Sequence, residues 1–76
     1  MQKIIYFKLH ERVVARTIGD MFFFPDKIVV NTPYLWLGIK KELIEDIKEM
    51  NDTVWVQVRF DKALLDNIRL FKRRWL

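Results

Sequence analysis

The chain begins with a segment in which apolar residues recur at every second position. Residues 3–9 are rich in β-branched and aromatic side chains, and one alternating set is entirely apolar: Ile5, Phe7 and Leu9. Alternation over this length is typical of a strand with one buried face. The pattern therefore predicts a strand from Lys3 to Leu9, with Tyr6 and Lys8 on its opposite face.

The next segment, Arg12 to Phe24, fits two kinds of structure. Its β-branched residues and the Gly19-Asp20 pair favour two strands joined by a turn. The alternative is a helix, because four apolar residues have helical spacing: Val14, Ile18, Met21 and Phe22. We favour the strands. After a turn at Pro25-Asp26, the apolar run 28–30 predicts another strand, from Lys27 to Asn31.

The middle of the chain changes to a period typical of a helix. Thr32-Pro33 is a favourable start, because threonine can cap the first turn and proline fits the first helical position. Apolar residues then follow at steps of three and four: Trp36, Ile39, Leu43, Ile47 and Met50. This stripe predicts an amphipathic helix. Because Gly38 disfavours a helix by roughly 1 kcal/mol relative to alanine, the alternative is a helix that begins after Gly38, with residues 34–37 extended.

A second alternating segment follows a turn at Asn51-Asp52, which would end that helix. The segment Thr53–Phe60 predicts a strand whose inward residues are Val54, Val56, Val58 and Phe60. Its outward residues are Trp55, Gln57 and Arg59. Asp61 can cap a final helix through Trp75, whose apolar stripe consists of Leu64, Ile68, Phe71 and Trp75.

These elements predict a single compact α+β domain over residues 1–76. It would consist of a small, mostly antiparallel sheet of three to four strands with two helices packed on one face. An alternative topology is a right-handed crossover, in which the unit from Lys27 through the first helix to Phe60 connects two parallel strands.

The composition excludes several kinds of chemistry. The chain has no cysteine and no serine, so disulfides, cysteine-ligated metals and the usual nucleophiles are impossible. His10 is the single histidine and is interpreted as a loop or strand-end residue. The carboxylates predicted on the first helix are interpreted as a solvated face rather than a metal site: Glu42, Glu45, Asp46 and Glu49. We therefore expect no enzymatic activity and no cofactor.

The hydropathy pattern predicts that no segment of the chain crosses a membrane. The longest stretch without a charged residue, 28–39, has twelve residues, whereas a membrane span needs about 20. The amino terminus lacks the small-residue cleavage site of a signal peptide. We therefore expect a cytoplasmic protein.

The excess positive charge is concentrated in the carboxy-terminal quarter. Residues 59–76 contain six basic and two acidic residues, a surplus of four, whereas residues 1–58 contain eight of each. On a helix docked by its apolar stripe, these cations would face nucleic-acid phosphates. The predicted contacts are Arg59, Lys62, Arg69, Lys72, Arg73 and Arg74. The alternatives are binding to an acidic protein or lipid surface, or cations that only complement the helix dipole.

A second predicted surface is aromatic. Eleven aromatic residues are more than a core of this size readily buries, and exposed apolar patches usually mark contacts. If the first and last strands are neighbours, Trp55 lies beside Tyr6 and Lys8, an arrangement suited to stacking on unpaired bases. The predicted interaction surface is Tyr6, Trp36, Trp55 and Trp75.

Two functions follow from these surfaces. The first is a small nucleic-acid-binding or regulatory module that uses the basic carboxy-terminal helix. The second is a protein-interaction module with an exposed aromatic surface, such as a partner-docking or inhibitor-type accessory protein of a virus. Homodimerisation is predicted because it would cover exposed aromatic rings and stabilise a small domain. The salt dependence of binding affinity distinguishes the two functions, because only the affinity for phosphates falls steeply as the salt concentration rises.

Overall fold

The described part of the protein forms a single sheet of six strands. The computed structural model describes residues 2–33, 36–59 and 62. In this part of the chain the strands are β1 (Lys3–Leu9), β2 (Arg12–Phe23), β3 (Lys27–Asn31), β4 (Trp36–Lys40), β5 (Ile44–Met50) and β6 (Thr53–Val58). A 3-10 turn, η1 (Lys41–Leu43), joins β4 to β5. The strand order is β4-β3-β2-β1-β6-β5. β1 and β6 are parallel, and the other neighbouring pairs are antiparallel.

The predicted α+β class, with two helices on one face of the sheet, is wrong. The segment predicted as the first helix forms β4, η1 and β5. In β4, Leu37 and Ile39 are buried whereas Trp36, Gly38 and Lys40 are exposed, which is the alternation of a strand. Trp36 and Ile39, two residues of the predicted stripe, therefore lie on opposite faces of the sheet.

An irregularity in β5 explains why its sequence resembles that of a helix. The register of β5 against β6 shifts between Ile44 and Asp46. Consequently Ile44 and Ile47, three residues apart, both pack against the core. A bulge resets the alternation of a strand, and here it reproduces the three-residue step of a helical stripe. The segment predicted as the final helix, from Asp61 through Trp75, lies outside the described residues except for Lys62.

The strand predictions are largely confirmed. β1 and β3 have the predicted bounds, and β6 begins at Thr53 as predicted and ends at Val58. The turn at Asn51-Asp52 exists, but it joins β5 to β6, with Asn51 at a φ of 57°. The predicted crossover is wrong, because β3 and β6 are not neighbours and the parallel partner of β6 is β1.

β2 is one continuous strand, so the turn predicted at Gly19-Asp20 is wrong. Its first part, up to Gly19, pairs with β1, and from Asp20 onward it pairs with β3. A Cβ atom on Gly19 would lie 2.2 Å from the carbonyl oxygen of Asn31. Glycine is therefore required here because the backbones of β2 and β3 approach closely.

The hydrophobic core lies on one face of the sheet. Its buried residues come from five strands: Ile5, Phe7, Ala15, Val30, Leu37, Ile39, Val54, Val56 and Val58. Strands on both sides of β2 contribute to it, so the two halves of the sheet share one core. Burying one large side chain stabilises a fold by about 1.5–3 kcal/mol. In the described part of the chain, no helix is long and apolar enough to cross a membrane.

Candidate nucleic-acid interface

An aromatic pair lies on the outward face of the sheet. Tyr6 and Trp55 are register partners on the parallel strands β1 and β6. Their ring centroids are 4.4 Å apart and their planes differ by 13°. Rings in this arrangement overlap, so each covers one face of the other. The sequence predicted that Trp55 lies beside Tyr6 if the first and last strands are neighbours. In the structure β1 and β6 are neighbours.

Basic residues flank the aromatic pair. Arg16 of β2 is the register partner of Tyr6, and Lys48 of β5 is the register partner of Trp55. The ammonium nitrogen of Lys8 lies 5.9 Å from the centroid of the Trp55 ring, within the range of a cation–π contact. We call the aromatic pair and its three basic neighbours the Trp55 face: Tyr6, Lys8, Arg16, Lys48 and Trp55. Sequence reasoning missed Arg16 and Lys48 as site residues, since Lys48 was assigned to a helix and Arg16 to an ambiguous segment.

A pocket of about 380 Å³ opens beside Trp55. It is lined by Lys8, Asp46, Lys48, Glu49, Met50, Trp55 and Gln57. Most of these residues belong to β5, and Tyr6 is not among them. The pocket is therefore formed mainly by β5 and β6, with Lys8 as the contribution of β1.

The polar groups of the pocket are partly fixed by hydrogen bonds and ion pairs. The Gln57 amide donates through Nε2 to the carbonyl oxygen of His10, at 3.2 Å. Glu49 forms an ion pair with Lys3, which compensates its charge. His10 itself lies in the turn between β1 and β2, at a φ of 56°. Among the described residues, no group of His, Asp and Glu side chains could hold a metal ion.

Two of the six basic residues predicted to contact nucleic acid are described, and both are exposed. Arg59 follows β6, and its side chain donates through Nη1 to the carbonyl oxygen of Glu42 at 3.5 Å. Lys62 is exposed. The other four predicted contacts lie outside the described residues: Arg69, Lys72, Arg73 and Arg74. Trp75, which was predicted as part of the aromatic surface, also lies outside them.

A second aromatic pair lies near the opposite edge of the sheet. Phe22 of β2 and Trp36 of β4 stack across β3, with centroids 5.8 Å apart and planes 15° apart. Phe22 is 41% exposed and Trp36 is 65% exposed. We call this pair the Trp36 patch. Trp36 was predicted as an interaction residue, whereas Phe22 was missed because its segment could not be assigned to one face.

Comparison of the chain with protein-family models, with curated proteins and with solved structures finds no match in any of the three. The function is therefore inferred from the two aromatic surfaces and the charge distribution.

Proposed function

We propose that this protein is a small, non-enzymatic module that binds single-stranded nucleic acid through the Trp55 face. The observation that carries the proposal is the position of Trp55, which is stacked on Tyr6 and also lines a pocket to which Tyr6 does not contribute. A base stacked on an aromatic side chain contributes about 1–3 kcal/mol. The ammonium groups of Lys8 and Lys48, which line the same pocket, supply charges for the adjoining phosphates.

An unpaired strand suits this site better than a duplex. Stacking on a side chain requires an accessible base face, and in a duplex the neighbouring base pairs cover those faces. The rings of Tyr6 and Trp55 are already stacked on each other, so little further side-chain entropy is lost when a base stacks on Trp55.

The basic end of the sequence supports the same function. β6 leads from Trp55 to Arg59, where the segment with a surplus of four positive charges begins. Cations in this segment can bind phosphates of the same nucleic acid. In this proposal the carboxy-terminal residues, including Arg69, Lys72, Arg73 and Arg74, add affinity without sequence preference.

The test is a titration of a fluorescently labelled oligonucleotide of about ten nucleotides, within the site sizes of single-strand binders. Trp55→Ala is expected to weaken binding about fivefold to a hundredfold, the equivalent of about 1–3 kcal/mol of stacking. The matched control is Trp36→Ala, which removes the same side chain from the other surface and is expected to leave binding unchanged. Equal affinity of Trp55→Ala and the unaltered protein would overturn the proposal.

The second candidate function is self-association through the Trp36 patch, and the exposure of two stacked rings favours it. β4 is at the edge of the described sheet, where a second copy could add its own strand. Antiparallel pairing of two β4 strands centred on Gly38 would put Trp36 opposite Lys40 of the second copy, a cation–π pair. Measurement of the molecular mass in solution tests this candidate.

A further inference from the structure

The geometry points to a binding site for one guanine base in the pocket beside Trp55, an inference that rests on the proposed function. The pocket volume of about 380 Å³ is near the lower end of the range of about 300–1,000 Å³ for small-molecule sites. Trp55 provides an aromatic wall, and Met50 also lines the pocket. Since a thioether packs favourably against a π-system, a flat base fits this environment.

The pocket also contains neighbouring hydrogen-bond acceptors. Asp46 and Gln57 are register partners across β5 and β6, and both line the pocket. The Asp46 side chain is exposed, and an ionised carboxylate can only accept hydrogen bonds. Gln57 uses Nε2 to donate to His10, which leaves its Oε1 as an accepting group.

Guanine is the base whose edge matches these acceptors. Its N1–H and N2–H₂ groups are adjacent donors, which the two oxygens of one carboxylate can accept together. Adenine and cytosine each present one amino donor beside a ring-nitrogen acceptor. Uracil and thymine present one N–H between two carbonyl oxygens. A carboxylate can accept from the N–H, but it repels the two carbonyl oxygens on either side. The chemistry of Asp46 therefore selects guanine.

The charges around the pocket permit a nucleotide as well as a free base. Lys8 and Lys48 line the pocket and can contact the phosphates on either side of the bound base. Glu49 is also a lining residue, but its ion pair with Lys3 compensates the negative charge that would otherwise repel a phosphate. The site thus combines stacking on Trp55, base selection by Asp46 and phosphate binding by the two lysines.

The experiment uses the full chain and deoxythymidine oligonucleotides of about ten nucleotides that carry one central guanine, adenine or cytosine. Affinities are measured by fluorescence anisotropy at one salt concentration. The guanine oligonucleotide is expected to bind about fivefold to a hundredfold more tightly than the all-thymine one. Asp46→Asn replaces the paired acceptors by one acceptor and one donor, and is expected to abolish this preference, so that the guanine and all-thymine oligonucleotides bind the variant equally.

Glu45→Gln is the matched control, because it removes the same charge from an exposed neighbour on β5 that does not line the pocket. It is expected to keep the guanine preference. If all oligonucleotides bind equally, or if Asp46→Asn keeps the preference, the guanine site is overturned while the proposed function stands. If no oligonucleotide binds, the proposed function and the guanine site both fail.

Discussion

Tyr6 and Trp55 lie directly opposite each other on the two parallel strands of the described sheet, with their rings stacked 4.4 Å apart. The two residues are far apart in the sequence, so the contact forms only when β6 has crossed over to β1. The same register aligns Arg16 and Lys48 on the outer sides of the pair. The Trp55 face therefore forms only when the four strands β2, β1, β6 and β5 pair in their correct registers.

Replacing Tyr6 by alanine should weaken both the fold and the site. The stacked pair contributes about 0.5–1.5 kcal/mol beyond the burial of its area, so Tyr6→Ala is expected to lower the free energy of unfolding by at least that amount. Without Tyr6, the Trp55 ring loses its support and oligonucleotide affinity should fall. Urea unfolding and an oligonucleotide titration measure the two effects.

The control for this prediction is Tyr6→Phe, which keeps the aromatic ring and removes only the hydroxyl group. It is expected to retain both the stability and the affinity of the unaltered protein. If Tyr6→Phe and Tyr6→Ala lower affinity to the same extent, the hydroxyl group rather than the stacked ring is the important feature.

The two glycines should respond oppositely to the same substitution. Gly19→Ala puts a methyl group where Cβ would be 2.2 Å from the backbone of Asn31. Backbone cannot move aside as a flexible side chain can, so we expect a loss of about 3 kcal/mol or more. Gly38 has no atom within 4 Å of its Cβ position, and Gly38→Ala is expected to stabilise β4 by about 0.5–1 kcal/mol.

Thermal and urea unfolding of both glycine variants check this prediction. Each variant serves as the control for the other, because the chemical change is identical and only the surroundings differ. Equal stability of the two variants would show that β2 and β3 do not approach as closely at Gly19 as the structure has them.

Sequence patterns predicted the strands whose alternation is uninterrupted. β1 and β6 combine alternating apolar residues with turn residues nearby, so the bounds of β1, the start of β6 and the inward faces of both could be derived from local periodicity, whereas β6 ends at Val58 rather than at the predicted Phe60. Their pairing could only be stated as a condition, because nothing in the sequence fixes which strands become neighbours. The juxtaposition of Tyr6 and Trp55 was therefore predicted as a consequence of that pairing.

The errors arise where a local feature imitates a different structure. The register shift between Ile44 and Asp46 gives β5 the spacing of a helix. Thr32-Pro33 has the composition of a helix start, yet Thr32 is buried and β4 follows. Gly19 was interpreted as a turn residue, because the close approach of Asn31 is a tertiary contact without a local signal. The pocket was missed because it depends on β5 pairing with β6.

Salt dependence should identify the cations that contact phosphate. For single strands, the slope of log affinity against log salt is about −0.7 per phosphate contact. The double variant Lys8→Gln, Lys48→Gln is therefore expected to make the slope shallower by about 1.4. The measurement is a series of oligonucleotide titrations at increasing salt concentrations.

Lys27→Gln combined with Lys40→Gln provides the control for the salt experiment. These lysines are register partners on β3 and β4, away from the Trp55 face, so the salt slope should stay the same. Equal changes of slope in both double variants would contradict a defined phosphate contact at Lys8 and Lys48 and indicate attraction by net charge alone.

The Trp36 patch should control self-association independently of nucleic-acid binding. Trp36 is 65% exposed and lies on the edge strand β4 of the described sheet, so a second copy that pairs with that edge would cover the ring. Analytical ultracentrifugation is expected to give twice the chain mass of 9.3 kDa for the unaltered protein. Trp36→Ala should shift the equilibrium to the monomer and leave the oligonucleotide affinity unchanged, because Trp36 is not part of the Trp55 face.

Phe23→Ala is the control for self-association, since Phe23 is 61% exposed but is not part of the stacked pair. This variant should remain dimeric. A monomer at every protein concentration would contradict self-association, and a monomeric Phe23→Ala variant would mean that the interface extends beyond the Trp36 patch.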